Sequence, residues 1–586
     1  MTFLILILGV LCTAGVCLAD WNVVDFGAVS DGQTDCTAAF QQALDVAEKA
    51  GGGTVRVPAG RWYFRGTLSI PAFVRLQGVT TGQAPQDRGT GTILLVTAGR
   101  GDAKSAPFLQ LNGHNAAVGG LQFVYPDWKI TDVPPVPYPP TIANGPYLFN
   151  VVIEDCNLQN AYEGIRLIGA HRHLVRNVHG YPAWRGLYID NCLDIGRIEN
   201  CHFWPYSCVD VMETPEGKRY WQWVNLNGVA YEFARSDWQS VLNTFCFGYG
   251  AGYKFSNSGK GTTNGSFLGI AADCCEVAVL VEDAHPAGLL ITNGEFVGRW
   301  ESQKSVTLKI LPSSGGKISL SNCAFWGPID RCIEMSASMA QLSVIGCHFY
   351  SWDIGRKKSP AIWLGAGRSI VQANTFSSDG EVHVQVGEMV KSVIVAMNQA
   401  DGRFRLIAHP EASVTQSLNG DAPVPLSASQ RMRFRLNIGS SGDLAYLKGW
   451  HDQERGNTGG APSTWRWAKA GATVRVPVNP NRRYTVRARL RVDAPALMPG
   501  AGLYVGNTRI APITRAGVQV ISGVIPAGKA SELDLTWRVK PWVPAKTLPG
   551  SIDVRELGVY VDWVELASGT TKTVTSLNTG RVIPAQ

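Results

Sequence analysis

Acidic, basic and aromatic side chains coincide most densely between residues 204 and 241. Glu232 and Asp237 lie close together in this segment, and Asp210 and Glu213 precede them. Enzymes that hydrolyse glycosidic bonds use two carboxyl groups, about 5–5.5 Å apart for retention or about 6.5–9.5 Å apart for inversion. We therefore predict that Glu232 and Asp237 are catalytic, with Asp210 and Glu213 as the next candidates.

The same segment offers side chains that could hold a sugar polymer. Arg235 can pair with an acidic group of the substrate. The aromatic candidates for substrate binding are Trp221, Trp223, Tyr231 and Trp238. Large and small residues alternate around Glu232, which would face outward if Tyr231 and Phe233 face inward. The alternative interpretation is that these carboxylates are ordinary solvated or ion-paired surface groups.

The elements that must position these residues follow a repeating pattern. A short phrase of alternating apolar residues with a polar turn recurs, at steps of 22–29 residues within each run. The last residues of its copies are Leu158, Gly180, Phe203, Phe296, Phe325, Phe349 and Phe376. A period in this range is typical of stacked structural repeats. Because a single repeat of this kind cannot bury its apolar side alone, we predict a coil of stacked parallel strands, a β-helix.

The N-terminal part of the chain, before the repeats, follows a different pattern. Thr37 can cap a helix that runs to about Lys49, since Phe40, Ala43, Leu44 and Ala47 share one face. Glycines 51–53 end this helix, and a strand follows at 54–57.

These opening residues carry a family resemblance. Val24-Asp-Phe-Gly-Ala, Asp31-Gly, Thr34-Asp35 and Val55-Arg-Val-Pro-Ala-Gly60 resemble the opening of the pectate-lyase-like superfamily. That superfamily of right-handed parallel β-helices includes pectate lyases, rhamnogalacturonases and phage tailspike depolymerases. The resemblance implies this fold to about residue 420 and a polysaccharide as substrate. In the superfamily the motif builds the N-terminal cap of the coil, so no catalytic residue is carried over.

Cysteines in the repeated phrase indicate packing. Cys156, Cys201, Cys323 and Cys347 each lie two places before the end of the phrase, so we expect one column of buried thiols. Cys156 and Cys201 would lie two turns apart, about 10 Å, which is too far for a disulfide. Cys274 and Cys275 have no assignment.

The chain divides into four predicted regions. Residues 1–19 read as a secretory signal peptide, which predicts a secreted or periplasmic protein. Residues 20–425 form the right-handed β-helix. Residues 426–567 alternate with period two between Gly/Pro turns, which predicts an antiparallel β-sandwich of jelly-roll type, either a carbohydrate-binding or a packing domain. Residues 568–586 read as a flexible tail.

The composition of the chain limits the classes of partner that it could bind. The net charge of +7 permits an acidic polysaccharide but does not require one. We see no concentrated basic run, which argues against nucleic acid, and no run after residue 18 is apolar enough to cross a membrane. The oligomeric state is left open.

Three functions are compatible with these features. The first is a glycoside hydrolase that uses paired carboxylates on the coil. The second is a polysaccharide lyase acting by β-elimination on a polyuronide. The third is a non-catalytic glycan-binding or surface-structural solenoid. Hydrolysis requires no cofactor, whereas a lyase could use calcium held by Asp190, Asp194 and Glu199.

Overall fold

The computed structural model describes residues 20–81, 89–205, 213–299, 302, 304–327, 330–377, 380–400, 404–419, 426–440, 443–458, 461–568, 573–576 and 582–584. The chain divides into two compact units, residues 1–397 with 406–417 and residues 398–405 with 418–586. Among the helices in the described ranges, none has the length and apolar character needed to cross a bilayer. The predicted signal peptide and Asp210 lie outside the described residues.

The first unit is a coil with three long parallel sheets. Each regular turn adds one strand to every sheet, and neighbouring turns pair in parallel. We number the sheets 1, 2 and 3 in the order in which a turn visits them. This architecture confirms the predicted parallel β-helix.

The strands of the coil have the following bounds. Sheet 1 contains Asp20–Asn22, Gly53–Arg56, Val74–Gln77, Ala117–Gly119, Arg197–Glu199, Gln239–Leu242, Gly265–Leu268, Leu289–Thr292, Lys317–Ser321, Gln341–Ile345 and Val414–Ser417. Sheet 2 contains Asp31–Asp35, Gly60–Phe64, Thr92–Val96, Gln122–Val124, His202–Phe203, Phe245–Phe247, Ala271–Cys275, Glu295–Gly298, Ala324–Trp326, His348–Tyr350 and Thr375–Ser377. Sheet 3 contains Leu68–Ile70, Leu109–Leu111, Pro140–Asn144, Glu163–Ile168, Arg185–Asp190, Val229–Phe233, Ala251–Phe255, Val277–Val281, Val306–Ile310, Arg331–Met335 and Leu406–Ala408.

Some strands lie outside this simple scheme. Val152–Leu158 and Leu174–Gly180 bend through a corner and serve sheets 1 and 2. Pro360–Gln372 and Val382–Ala396 likewise serve sheets 3 and 1. A separate two-stranded parallel pair joins Leu148–Phe149 to Ala170–His171. The two-residue strand Gln399–Ala400 falls in the second unit.

Rows of identical side-chain type fill the interior of the coil. Phe325, Phe349 and Phe376 stack with ring centroids 5.0 and 4.8 Å apart. The four cysteines predicted for the interior, Cys156, Cys201, Cys323 and Cys347, are all at most 1% exposed. All ten cysteines of the described residues are buried.

Asparagines form the corner between sheets 1 and 2. Asp155, Asn177 and Asn200 all have positive φ, which Asn and Asp adopt more readily than other non-glycine residues. The amide of Asn177 donates to Asp155 (2.9 Å), and the amide of Asn200 donates to Asn177 (2.8 Å). These bonds align successive turns, which explains the polar residue inside the repeated phrase.

The predicted N-terminal helix is present as Thr37–Lys49, after a 3₁₀ turn at Val23–Phe26. Its apolar face is buried as expected, and the Phe40 ring lies 4.9 Å from that of Phe64. The cap position is Cys36, however. Thr37 is the first helical residue, and its hydroxyl bonds to Asp35 instead (2.6 Å).

Two segments interrupt the repeated phrase, residues 125–147 and 204–241, and both contain regular strands. Residues 140–144 of the first form a strand of sheet 3. The second contains the helix Pro215–Asn227, after which regular strands resume at Val229. The segments touch, because the Trp128 indole donates to the Tyr220 hydroxyl (3.1 Å).

The second unit is antiparallel, as predicted, except that Arg433–Asn437 and Thr573–Ser576 pair in parallel. Its strands are Arg433–Asn437, Leu447–Trp450, Glu454–Thr458, Ala461–Pro477, Tyr484–Val492, Gly502–Val505, Thr508–Pro512, Gly517–Ile525, Glu532–Arg538, Tyr560–Ala567, Thr573–Ser576 and Val582–Pro584. Short helical segments lie at Ala428–Arg431, Asp443–Tyr446, Ala494–Ala496 and Pro544–Thr547. The long strand Ala461–Pro477 pairs with four others, and alternate residues of the strands enclose one apolar core.

Candidate active site

The outer face of sheet 3 carries a row of polar residues that are in register on neighbouring strands. We call it the charged row, and its members are Arg166, Tyr188, Glu232 and Lys254. The residues just before them on each strand, such as Leu187 and Tyr231, are completely buried in the coil. Because side chains alternate along a strand, the inward residues place the charged row outside.

Arg185 connects this row to a buried carboxylate. Its guanidinium lies 2.7 Å from Glu163 and 3.1 Å from Glu232. It also stacks over the rings of Trp184 (4.5 Å) and Tyr188 (4.1 Å). Burial lowers the pKa of Arg185, but the two carboxylates outweigh burial and leave this pKa raised. Arg185 is thus a fixed cation beside the row.

Glu232 lies between two cations and is 8% exposed. Besides Arg185, the ammonium of Lys254 lies 3.4 Å from its carboxylate. Lys254 also contacts Glu282 at 3.1 Å. The predicted outward direction of Glu232 is therefore correct, and its charge is compensated on both sides.

Tyr188 is the member of the charged row that carries a hydroxyl group. Burial, followed by the negative charges of Asp190 and Glu232, raises the pKa of its hydroxyl well above the usual value. The hydroxyl consequently keeps its proton at neutral pH and can donate it. Asp190 is itself held by the Arg235 amide (3.1 Å) and the Ser258 hydroxyl (2.9 Å).

The turn after Glu232 holds the other predicted carboxylate. Asp237 makes a two-pronged ion pair with Arg235, with N–O distances of 2.5 and 2.8 Å. The Asn264 amide donates to the same carboxylate (3.0 Å). Both oxygens of Asp237 are therefore engaged, and Arg235 is occupied in positioning the turn. Trp238 follows and is 73% exposed.

The other predicted site residues are placed apart from this row. Glu213 is almost fully exposed and pairs with Lys218 (3.3 Å) beside the start of the helix Pro215–Asn227. Trp221 and Trp223 lie on that helix, where the Trp221 ring stacks on Phe247 of sheet 2.

Tyr231 points into the coil and is completely buried. Its hydroxyl donates to the carbonyls of Cys201 and Phe245, both at 3.0 Å. The period-two alternation that turns Glu232 outward turns its neighbour inward. Tyr231 is thus a core residue, and we do not retain it as a substrate-binding candidate.

Sequence reasoning missed the residues that surround Glu232. Glu163, Arg185, Tyr188 and Lys254 are dispersed over 92 positions of the chain and show no local motif. An available signal was the register: aligning the strands on their inward apolar residues brings Tyr188, Glu232 and Lys254 to one position of the repeat.

A second polar row occupies the outer face of sheet 2. Asn157, His179 and His202 are in register on neighbouring turns. Burial, with a smaller contribution from His202, lowers the pKa of His179 to about 4. Its imidazole is therefore neutral at physiological pH.

The three carboxylates expected to hold calcium do not meet. Asp190 is bound as described, Asp194 lies 3.6 Å from Arg172, and Glu199 belongs to sheet 1. The described part of the chain contains no group of three or more His, Cys, Asp or Glu side chains arranged to hold a metal ion.

The opening of the chain matches a known family model. Residues 21–97 match the model described as rhamnogalacturonase A/epimerase, pectate lyase-like. This match and the coil confirm the predicted resemblance to the pectate-lyase-like superfamily. The matched residues precede the charged row, so the match identifies the fold and not the site.

Curated relatives resemble a short segment of the chain. Two mannuronan C5-epimerases of Azotobacter vinelandii, AlgE1 and AlgE5, are 45% and 57% identical over 71 residues, 11% of this chain. Alginate lyase 7 of the same organism is 55% identical over 47 residues, 8% of this chain. The matches span 5%, 7% and 6% of these three relatives.

Two solved structures cover more of the chain at lower identity. The A-module of A. vinelandii mannuronan C-5 epimerase AlgE6 is 16% identical, with a TM-score of 0.45, over 70% of this chain and 100% of its own. The DFA-IIIase of Arthrobacter chlorophenolicus A6 is 11% identical, with a TM-score of 0.34, over 70% of this chain and 95% of its own.

Proposed function

We propose that the protein is a polysaccharide-modifying enzyme whose charged row acts on a uronic-acid polymer. The proposed reaction removes the proton from the carbon next to the uronate carboxylate, leading to C5 epimerisation or to β-elimination. The observation that carries the proposal is Glu232 held between Arg185 and Lys254, beside the protonated hydroxyl of Tyr188. The names of the relatives, mannuronan epimerases and an alginate lyase, support the same substrate class.

The cations suit the charge that develops in this reaction. Loss of the C5 proton leaves negative charge that spreads onto the uronate carboxylate. Preorganised cations at that position lower the barrier, because they are aimed at the charge of the transition state. Arg185 and Lys254 are the proposed groups, since both are already placed to bind carboxylates.

Glu232 and Tyr188 are the proposed proton-transfer groups. A substrate carboxylate that takes over Arg185 and Lys254 releases the Glu232 carboxylate from these ion pairs and leaves it available to the C5 proton. Tyr188, which keeps its proton, can supply one to the glycosidic oxygen or to the opposite face of C5. Both side chains project from neighbouring strands at the same register position.

This proposal replaces paired-carboxylate hydrolysis as the preferred mechanism. Hydrolysis needs one carboxyl group that is protonated and one that is free. Glu232 is held between two cations and Asp237 is bound at both oxygens, so both carboxylates are engaged by other groups of the protein. Hydrolysis stays a prediction that the same experiment tests.

The test is incubation of the full-length protein with mannuronate-rich alginate, polygalacturonate and a neutral glucan in heavy water. Deuterium at C5 without chain cleavage identifies epimerisation. Ultraviolet absorbance from an unsaturated uronic end identifies elimination. New reducing ends without that absorbance would establish hydrolysis and refute the proposed chemistry. Binding without any product would favour the non-catalytic solenoid.

Matched variants connect the activity to the charged row. Lys254→Met and Tyr188→Phe should each lower the rate by about 100-fold or more, in line with the usual contribution of proton transfer and charge stabilisation. Lys309→Met is the control, because Lys309 lies on the same row two strands further on and pairs with Glu334 (3.3 Å). Equal losses in Lys309→Met and Lys254→Met would contradict the assignment.

The proposed reaction is compatible with calcium as a cofactor and with export of the protein from the cell. If the enzyme needs calcium, a chelator should abolish turnover and added calcium should restore it. Export to the periplasm or the medium would place the enzyme with extracellular polysaccharide, and cell fractionation tests this.

The second unit is proposed as a carbohydrate-binding domain. On the outer face of its sheet, the Trp563 ring lies 4.6 Å from the guanidinium of Arg435 and 5.9 Å from that of Arg487. Arg489 is in register with Trp563 on the neighbouring strand. Arginines grouped on a flat face are suited to the carboxylates of an acidic glycan. Arg487→Ala should weaken retention on that glycan without changing turnover of short oligosaccharides.

A further inference from the structure

Trp238 is held in an unusual position at the edge of sheet 3. Its side chain is 73% exposed, and its φ is +57°. Positive φ is unfavourable for a bulky residue and persists only when neighbours enforce it. Here the Trp238 amide donates to the Asn264 side chain (3.1 Å), which in turn binds the Arg235–Asp237 pair. The turn therefore presents a large apolar ring to solvent in one orientation.

Tyr147 repeats this arrangement on an earlier turn. It is 65% exposed with φ of +54°. Its ring contacts Phe149 and His171, with centroids 5.4 and 4.9 Å away. The His171 ring also accepts a hydrogen bond from the amide of Leu193 (3.0 Å), a residue that is 48% exposed. Tyr147 is thus a second exposed ring, and its contacts with Phe149 and His171 hold it in position.

These residues lie on consecutive turns at one edge of sheet 3. The turn with Tyr147 pairs with the turn at 170–171, and the Arg172 amide donates to Asp194 on the next (2.7 Å). The Asp237 amide then donates to Cys192 (2.8 Å). With neighbouring strands about 4.8 Å apart, three steps separate the first and last turns by about 14 Å. We call Tyr147, Leu193 and Trp238 the rim strip.

We propose that the rim strip binds pyranose rings of the polysaccharide chain beside the charged row. Aromatic faces at fixed positions suit the apolar faces of successive sugars. Three side chains of this size expose roughly 400 Å², less than the area that each partner usually buries in a stable protein complex. The choice of a polysaccharide as occupant rests on the proposed function. The strip itself would set affinity for long substrates and would take no part in proton transfer.

The test is affinity gel electrophoresis of the full-length protein through gels containing alginate or polygalacturonate. Trp238→Ala and Tyr147→Ala should each raise the dissociation constant by about 3–10-fold, the loss expected for one aromatic contact. Tyr350→Ala is the control, because Tyr350 is 56% exposed but lies on sheet 2, and its retardation should equal that of wild type. KM for the polymer should rise in the two rim variants, while kcat on short oligosaccharides should not change.

The outcomes separate this inference from the proposed function. Tyr188→Phe should lose turnover but keep full retardation. Unchanged retardation in both rim variants would overturn the inference even if the enzyme is active. Failure of every polysaccharide to retard the wild type would overturn it as well. A change of sedimentation in Trp238→Ala without a change of retardation would assign the strip to self-association instead.

Discussion

Two glutamates that share Arg185 should respond differently when their charge is removed. Glu163 has no exposed surface and binds both Arg166 and Arg185. In Glu163→Gln, Arg166 loses its carboxylate and Arg185 keeps Glu232. In Glu232→Gln, by contrast, Arg185 keeps Glu163 and Lys254 keeps Glu282. The first change leaves a poorly compensated charge, whereas the second does not.

The expected losses in the free energy of unfolding follow from the burial of the charges that remain. Removing one partner of a buried ion pair costs about 3–5 kcal/mol, because the other charge stays buried. We expect this loss in the free energy of unfolding for Glu163→Gln. Losing charge-assisted hydrogen bonds from cations that keep another partner costs less, about 1–2 kcal/mol, and this is expected for Glu232→Gln. The order should reverse for catalysis, where Glu232→Gln loses about 100-fold or more in rate.

Urea denaturation followed by circular dichroism measures the stabilities, and turnover of the polymer identified above measures the rates. Both variants keep the shape of the side chain, so that the comparison isolates the charge. The reasoning is refuted if Glu232→Gln is as destabilised as Glu163→Gln. It is equally refuted if Glu232→Gln turns over substrate at the wild-type rate.

Other predictions test the core and the second unit. Because the folded pKa of His179 is about 4 and the unfolded value about 6.5, the unfolded chain binds more protons between these limits, and stability falls as pH drops through them. His179→Asn, which copies Asn157 one turn earlier, should reduce the loss between pH 7 and pH 4.5 by about 2–3 kcal/mol in urea titrations, and an unchanged pH profile would contradict this. Tyr231→Phe should lower the free energy of unfolding by about 1–3 kcal/mol, since two buried carbonyls lose their donor, and leave kcat unchanged; a loss of activity at wild-type stability would return Tyr231 to the site. Asp443→Asn should cost the second unit about 3–5 kcal/mol, because Arg466 is 7% exposed and bonded to both carboxylate oxygens (2.9 and 3.1 Å), and a melting temperature equal to wild type would refute it.

The repeat made the coil predictable from residues alone. The polar residue of each phrase, such as Asn177 or Asn200, marks a corner where positive φ is required, and the Cys, Leu or Phe that follows faces inward. These are local requirements that recur on every turn. Stacking of identical turns then determines the interior, which is why the cysteine column was predictable from its register alone.

The boundaries of the interruptions were less predictable. The helix Pro215–Asn227 was not expected, although Thr214 caps it and Pro215 begins it. The strand at 140–144 was not expected, because prolines interrupt its apolar pattern. Pairing with neighbouring turns supplies the hydrogen bonds that make this short segment a strand, and such pairing is not encoded locally.

A parallel coil with an N-terminal cap, an antiparallel second unit and an outward Glu232 could all be predicted from the residues, since period, alternation and turn chemistry are local properties. Which charges surround Glu232 depends instead on the folded molecule. Glu163, Arg185 and Lys254 are distant in the chain and become neighbours when successive turns stack in register. That stacking also brought Asn264 to Asp237 and buried Tyr231, because such contacts depend on what the adjacent turns bring to the same place.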